Sequence, residues 1–156
     1  MLQDWACLRS TFVPSGGAVI SKLVYVGIDI SSTDLVVSII PSGDIAQYSN
    51  DSDGIKALVK HVASVGPSGV VLEATGGYEI LLASALQLAE LPVSLVNPRQ
   101  VRNFARATGK LAKTDKIDAR VLAQFGEAIQ PAVRLLPDEE TRELRALVDR
   151  RHQLSQ

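Results

Sequence analysis

The apolar and polar positions of this chain fall into two periods, and the switches between them mark out its elements. From Leu23 to Ser31, Val24, Val26, Ile28 and Ile30 alternate with Tyr25, Gly27 and Asp29, the period of two that predicts a strand. Asp29 is thereby placed opposite the aliphatic row. Thr33-Asp34 turns the chain into a second strand, Leu35 to Ile40, and Pro41-Ser42-Gly43-Asp44 turns it again into a short third strand, Ile45 to Tyr48, which completes a meander. The period then becomes helical. Ile55, Leu58, Val59 and Val62 share one face, Asp51 and Ser52 offer caps in front of them, and Gly66-Pro67 is the stop.

Val70-Val71-Leu72-Glu73 reads as a buried strand that ends in an acid and opens into Thr75-Gly76-Gly77. A Gly-Gly pair there admits a close backbone approach, although its ordinary reading is a turn. Tyr78 to Glu90 is rich in leucine and alanine around most of its circumference, which predicts a helix covered on more than one side. Pro92 to Val96 predicts a strand closed by Asn97-Pro98, and helices follow over about 99–108 and 115–128, separated by Gly109. A meander followed by alternating strands and helices implies an α/β fold, a mixed sheet with helices on both faces. After Pro137 the segment DEETRELRALVDRRHQLSQ carries Leu144, Leu147, Arg151 and Leu154 at the spacing of a coiled-coil seam. So short a helix is marginal alone, and it is expected to form a homo-oligomer or to continue into a partner segment. Three regions result: an irregular leader over 1–21, expected to be dispensable for folding; a catalytic-sized domain over 22–136; and the start of a coiled-coil or dimerisation helix over 137–156.

Composition narrows the picture. A chain of 156 residues with 46% apolar and 21% charged residues is sized and balanced for one globular domain. The formal net charge of −1 supplies no global basic field, so any attraction to nucleic acid has to come from a local patch. The single cysteine, Cys7, excludes an intrachain disulfide and a cysteine-based metal cage, and a cytoplasmic setting fits best. The leader MLQDWACLRSTFVPSGGAVIS lacks the charged start and unbroken apolar stretch of a signal peptide or membrane span.

Four acids stand out from this background. Asp115 and Asp118 are three residues apart, which on a helix brings them to one face. They have a competing reading, with Asp115 as N-cap and Asp118 as its acidic partner at the third helical position. Asp29 inside an apolar strand and Glu73 at the end of another lie where a lone carboxylate is costly to desolvate. Convergence of the four would set close pairs against each other by ~4 kcal/mol at ~4 Å in an effective dielectric near 20. A divalent cation resolves that conflict, and all-oxygen ligands suit Mg²⁺ or Mn²⁺, the ions of phosphate chemistry. His61, within the first helix, and His152, in the tail, read as solvated surface residues.

Beside the acids runs a basic series: Arg99, Arg102 and Arg106 on one helical face, then Lys110, Lys113, Lys116 and Arg120. In a chain of near-neutral charge this forms a candidate phosphate-binding track. A solvated polar face is the competing reading.

The segments GIDIS (27–31), LEATGGYE (72–79), VNPRQVRNFARATGK (96–110) and KTDKIDARVLAQF (113–125) resemble the DEDD transposases of the bacterial insertion-sequence one-ten class, relatives of the Piv-type site-specific DNA invertases. KTDKIDA is the most specific of them. The resemblance implies an RNase H-like (RuvC-like) fold and cleavage and exchange of DNA strands in transposition of an insertion sequence. It also implies Mg²⁺ or Mn²⁺ at Asp29, Glu73, Asp115 and Asp118, and a guide RNA encoded by the element. Two departures stand beside it: Ser32 occupies a position where the family often carries lysine, and family members continue through a coiled coil into a second domain that supplies a serine nucleophile. On that reading the chain is half of a recombinase. Two rival readings are a truncated, non-catalytic nucleic-acid-binding or dimerisation module, and an actin-like or sugar-kinase ATPase lobe. The latter needs phosphate-admitting glycines after Asp29, where Ile30-Ser31-Ser32 stands.

Overall fold

The computed structural model describes residues 22–110 and 114–134. The expected leader, Lys113 and the helix after Pro137 lie outside the described residues. Strands β1 (Tyr25–Ile30), β2 (Asp34–Ile40) and β3 (Ile45–Ser49) form the meander. Helix α1 (Ser52–Val65), strand β4 (Gly69–Glu73), helix α2 (Ile80–Leu88), strand β5 (Val93–Val96) and helices α3 (Pro98–Ala107) and α4 (Asp115–Ile129) follow. The five strands make one mixed sheet in the order β3-β2-β1-β4-β5. β1 is antiparallel to β2 and parallel to β4, which is parallel to β5.

The caps are those the sequence offers for α1. Asp51 accepts from Gly54 N at 2.8 Å, and the left-handed Gly66 ends the helix with its N–H on Ala63 O. One sheet face carries the larger core, where Val26, Ile28, Leu35, Val37, Val70 and Leu72 pack against Leu58 and Val62 of α1 and Leu82 and Leu86 of α2. The opposite face packs Val71 and Val96 against Val101 of α3 and Val121, Leu122 and Phe125 of α4.

Two expectations change. Helix α2 buries Leu82, Ala83 and Leu86 but leaves Leu81 72% and Leu88 86% exposed. It sits over β5 at the sheet edge with α1 on one flank, and among the described residues nothing covers its other side. His61 is half-buried rather than solvated, because its Nδ1 lies 2.7 Å from the hydroxyl of Tyr48 and ties α1 to β3.

The placement of α4 decides the geometry of the site. A side chain at Gly27 would put Cβ 2.2 Å from Ala119 O and 2.3 Å from Ala123 N, and one at Gly126 would meet Val71 Cγ2 at 2.7 Å. The helix therefore rests on the backbone of β1, an approach only glycine permits.

Candidate metal centre

Asp29 lies on the α4 side of β1, near the C-terminal end of the strand, and Glu73 ends the neighbouring parallel strand one residue beyond the Ile28↔Leu72 pair. Adjacent parallel strands thus carry the two acids side by side on one face, at the carboxyl ends where open α/β sheets bind their ligands. Helix α4 begins above the same face. Its N-cap is Thr114, whose Oγ1 accepts from Ile117 N at 3.3 Å. This displaces the capping reading by one residue: Asp115 is the first helical residue, Ile117 holds the third position, and neither Asp115 nor Asp118 is the cap. The two acids still lie in the first turn, at the positive end of the helix dipole.

One carboxylate oxygen each from Asp29, Asp115 and Asp118 lies within 4.8 Å of the other two. Asp115 is exposed; Asp29 and Asp118 are half-buried. An octahedral Mg²⁺ with oxygens at about 2.1 Å spaces its ligands about 3 Å apart in cis and about 4.2 Å in trans, so a small contraction seats an ion among them. Glu73 stands outside this three-acid group. It lines the same cleft and acts on Asp29 through its charge. Burial, then Asp118, Asp115 and Glu73 in that order, push the Asp29 carboxyl up from 3.8 to about 6, against a smaller opposing effect of the Ile30 backbone N–H. All four acids of the sequence reading therefore share one electrostatic environment, and three of them lie close enough to offer ligand atoms to one ion.

The cleft, about 630 Å³, takes its acidic part from Asp29, Glu73 and Asp118 and its basic part from Arg102, Arg106 and Lys110. Helix α3 is oriented by its apolar side. Val101 is buried in the second core, and Phe104 meets Phe125 of α4 edge-on with ring centroids 5.5 Å apart, which leaves Arg102 and Arg106 toward the cleft. The helix ends in a left-handed Gly109, with Gly109 N on Arg106 O and Lys110 N on Ala105 O, a Schellman closure that turns Lys110 back. Lys110 Nζ donates to Gln124 Oε1 of α4. Arg99, Lys116 and Arg120 are exposed and lie outside the cleft lining.

Three features of this arrangement escaped the sequence reading: the Gly27 contact, the Thr114 cap and Glu79. The first had a visible signal, since Gly27 shares the Asp29 side of β1 and Ala119, Ala123 and Gly126 follow one another at spacings of four and three. Gly76 and Gly77 prove to be a turn, both at positive φ with open space where a Cβ would stand.

A sequence model of the DEDD transposases of the insertion-sequence one-ten class, described as transposase, matches residues 26–156. The chain belongs to this family. Pilin gene-inverting proteins of Moraxella lacunata and Moraxella bovis are each 30% identical to it over 113 residues, 69% of this chain and 35% of theirs. It thus spans about a third of the length of these relatives. The five-stranded sheet flanked by four helices is the RNase H-like, α/β architecture expected of a DEDD transposase domain. Among the described residues no helix is long and apolar enough to cross a membrane.

Proposed function

We propose that this chain carries the acidic half of a transposase or site-specific DNA recombinase, a divalent-metal site that cleaves and exchanges DNA strands during transposition of an insertion sequence. The observation that carries this reading is the convergence of Asp29, Asp115 and Asp118 within 4.8 Å, beside a cleft that Asp29, Glu73 and Asp118 line together with Arg102, Arg106 and Lys110. Carboxylates at that spacing repel one another without an ion, and the pKa of Asp29 is raised first by burial and then by the charges of Asp118, Asp115 and Glu73.

Asp29, Asp115 and Asp118 would hold Mg²⁺ or Mn²⁺, and Glu73, on the neighbouring strand in the same cleft, would be a fourth ligand. The ion, when bound, activates an oxygen nucleophile and neutralises charge on the scissile phosphate. The chain's own contribution is placement. Arg102, Arg106 and Lys110 bind the phosphates that flank the acids, while Arg99, Lys116 and Arg120 extend the track along the DNA outside the cleft. The resemblance adds an element-encoded guide RNA and a second domain that supplies the serine, and the coiled-coil spacing of Leu144, Leu147, Arg151 and Leu154 adds a homo-oligomer. A DNA-handling role of this kind belongs in the cytoplasm.

Manganese titration followed by electron paramagnetic resonance tests the site directly. The wild type is expected to bind Mn²⁺ and to melt at a higher temperature with it, and Asp29→Asn is expected to lose most of both effects. Equal Mn²⁺ uptake and equal melting in the two proteins would refute the metal site.

A further inference from the structure

The loop that leaves β4 is tied down by a buried carboxylate. Glu79 is 7% exposed, and its Oε2 accepts from Thr75 N at 3.2 Å, from Gly77 N at 2.9 Å and from Thr75 Oγ1 at 2.9 Å. The two backbone N–H groups have no acceptor capacity, so this oxygen is an acceptor. The Thr75 hydroxyl must therefore direct its single proton at it. Burial works to raise the Glu79 carboxyl, but hydrogen bonds from its own backbone N–H, from Gly77 and from Thr75 outweigh burial and hold it below the ordinary range. It stays ionised at neutral pH, and the Thr75 hydroxyl keeps lone pairs with no proton to offer.

Thr75 also lines the cleft beside Asp29, Glu73 and Asp118. A phosphodiester carries oxygen acceptors alone, so a hydroxyl with its proton already committed has the wrong polarity for a phosphate oxygen. It has the right polarity for an O–H group. We infer that Glu79 fixes the Thr75 hydroxyl as an acceptor that orients an O–H donor in the cleft, either a water or the terminal hydroxyl of a nucleic-acid strand. Glu79 is then a positioning residue, and Thr75 is the group that discriminates. The inference rests on the reading of the cleft as a metal-dependent nucleic-acid site.

The test uses the full chain and two substitutions of nearly equal shape. Thr75→Ser keeps an acceptor hydroxyl; Thr75→Val removes it. Binding of single strands identical except for a 3′-hydroxyl or a 3′-hydrogen terminus is followed by fluorescence anisotropy with Ca²⁺ present, and Mn²⁺ affinity by electron paramagnetic resonance. If the donor is a strand terminus, the wild type and Thr75→Ser prefer the 3′-hydroxyl strand by on the order of tenfold and Thr75→Val loses that preference. If the donor is a water on the ion, the two strands bind alike and Thr75→Val weakens Mn²⁺ about 10- to 100-fold. Glu79→Gln, whose amide oxygen can still accept from both backbone N–H groups and from Thr75 Oγ1, keeps the wild-type result, whereas Glu79→Ala, which removes the acceptor, reproduces the Thr75→Val result in either case. Thr75→Val that matches the wild type in both measurements overturns the inference while leaving the metal site standing. A wild type that binds neither Mn²⁺ nor either strand overturns the reading of the cleft, and this inference with it.

Discussion

Replacing Asp29 with asparagine should make the metal-free protein more stable at neutral pH, the opposite of what removing a site residue usually does. The folded state holds the Asp29 proton up to a pH of about 6, whereas the ordinary value is 3.8. Below pH 4 the group is protonated in the folded and unfolded states alike and costs nothing. As pH rises the unfolded chain releases the proton first, so stability falls through the window from about 4 to 6 and levels off above it. At 1.36 kcal/mol per tenfold change, the shift gives an upper limit of about 3 kcal/mol. Asp29 is only half withdrawn from water, and screening reduces this to about 1–2 kcal/mol. Urea unfolding of wild type and Asp29→Asn at pH 4 and pH 7.5, in chelator, measures it. The difference between the two proteins isolates Asp29 from carboxylates of opposite slope, such as Asp34, held low by Thr33 and then Gln47, and Asp51, held low by the Gly54 N–H. The variant should gain about 1–2 kcal/mol on the wild type between the two pH values, and a saturating divalent ion should remove that advantage by stabilising the wild type alone, by about 2.7 kcal/mol at a hundred times its dissociation constant. An unchanged difference from pH 4 to pH 7.5 would show that neither burial nor the neighbouring acids raise the Asp29 pKa in the folded chain.

Three further substitutions probe how the site is built. Gly27→Ala forces a methyl group to 2.2 Å from Ala119 O, and the resulting shift of α4 should cost about 3 kcal/mol or more and weaken Mn²⁺ binding even where the variant still folds; calorimetry with and without Mn²⁺ reads both. Arg102→Ala with Arg106→Ala should lower the slope of log affinity for duplex DNA against log salt by about 1–2, whereas Lys56→Ala, exposed on α1 across the sheet from the cleft, should leave it nearly unchanged; similar slopes in all three proteins would make the track a solvated face. Ser38, fully buried beside Gly27 in the β1–β2 register, has a hydroxyl with no partner, so Ser38→Ala should raise stability by up to about 1 kcal/mol in urea unfolding, and a loss of that size would mean that the hydroxyl is bonded after all.

The order of elements was legible because period and punctuation agree along most of the chain. The β1 alternation, the Asp51 and Gly66 ends of α1 and the Asn97-Pro98 start of α3 each rest on a local cause that one sequence displays. What failed was reading coverage from composition. The leucine and alanine of α2 suggested burial on more than one side, yet Leu81 and Leu88 are exposed, because the helix lies at the sheet edge and position in a fold is not a local property. The Asp115–Asp118 cap failed for a smaller reason. Thr114 stands one residue earlier, and a one-residue shift moves Asp118 out of the capping position.

That four acids would meet rested at the sequence level on the cost of a carboxylate inside a strand and on family resemblance; what holds three of them together is packing. Helix α4 buries Val121, Leu122 and Phe125, and each such side chain contributes about 1.5–3 kcal/mol on leaving water. The sum, roughly 5–9 kcal/mol, exceeds the 1–2 kcal/mol by which Asp29 destabilises the metal-free protein. The cluster is therefore held close by the hydrophobic seam of α4 on β1 and not by an ion, and the chain should fold without metal and present a preformed site. Gly27 is where the two requirements meet: the same missing side chain that lets α4 bury its apolar face also brings Asp118 alongside Asp29, so the fold and the acid cluster cannot be altered separately at that position.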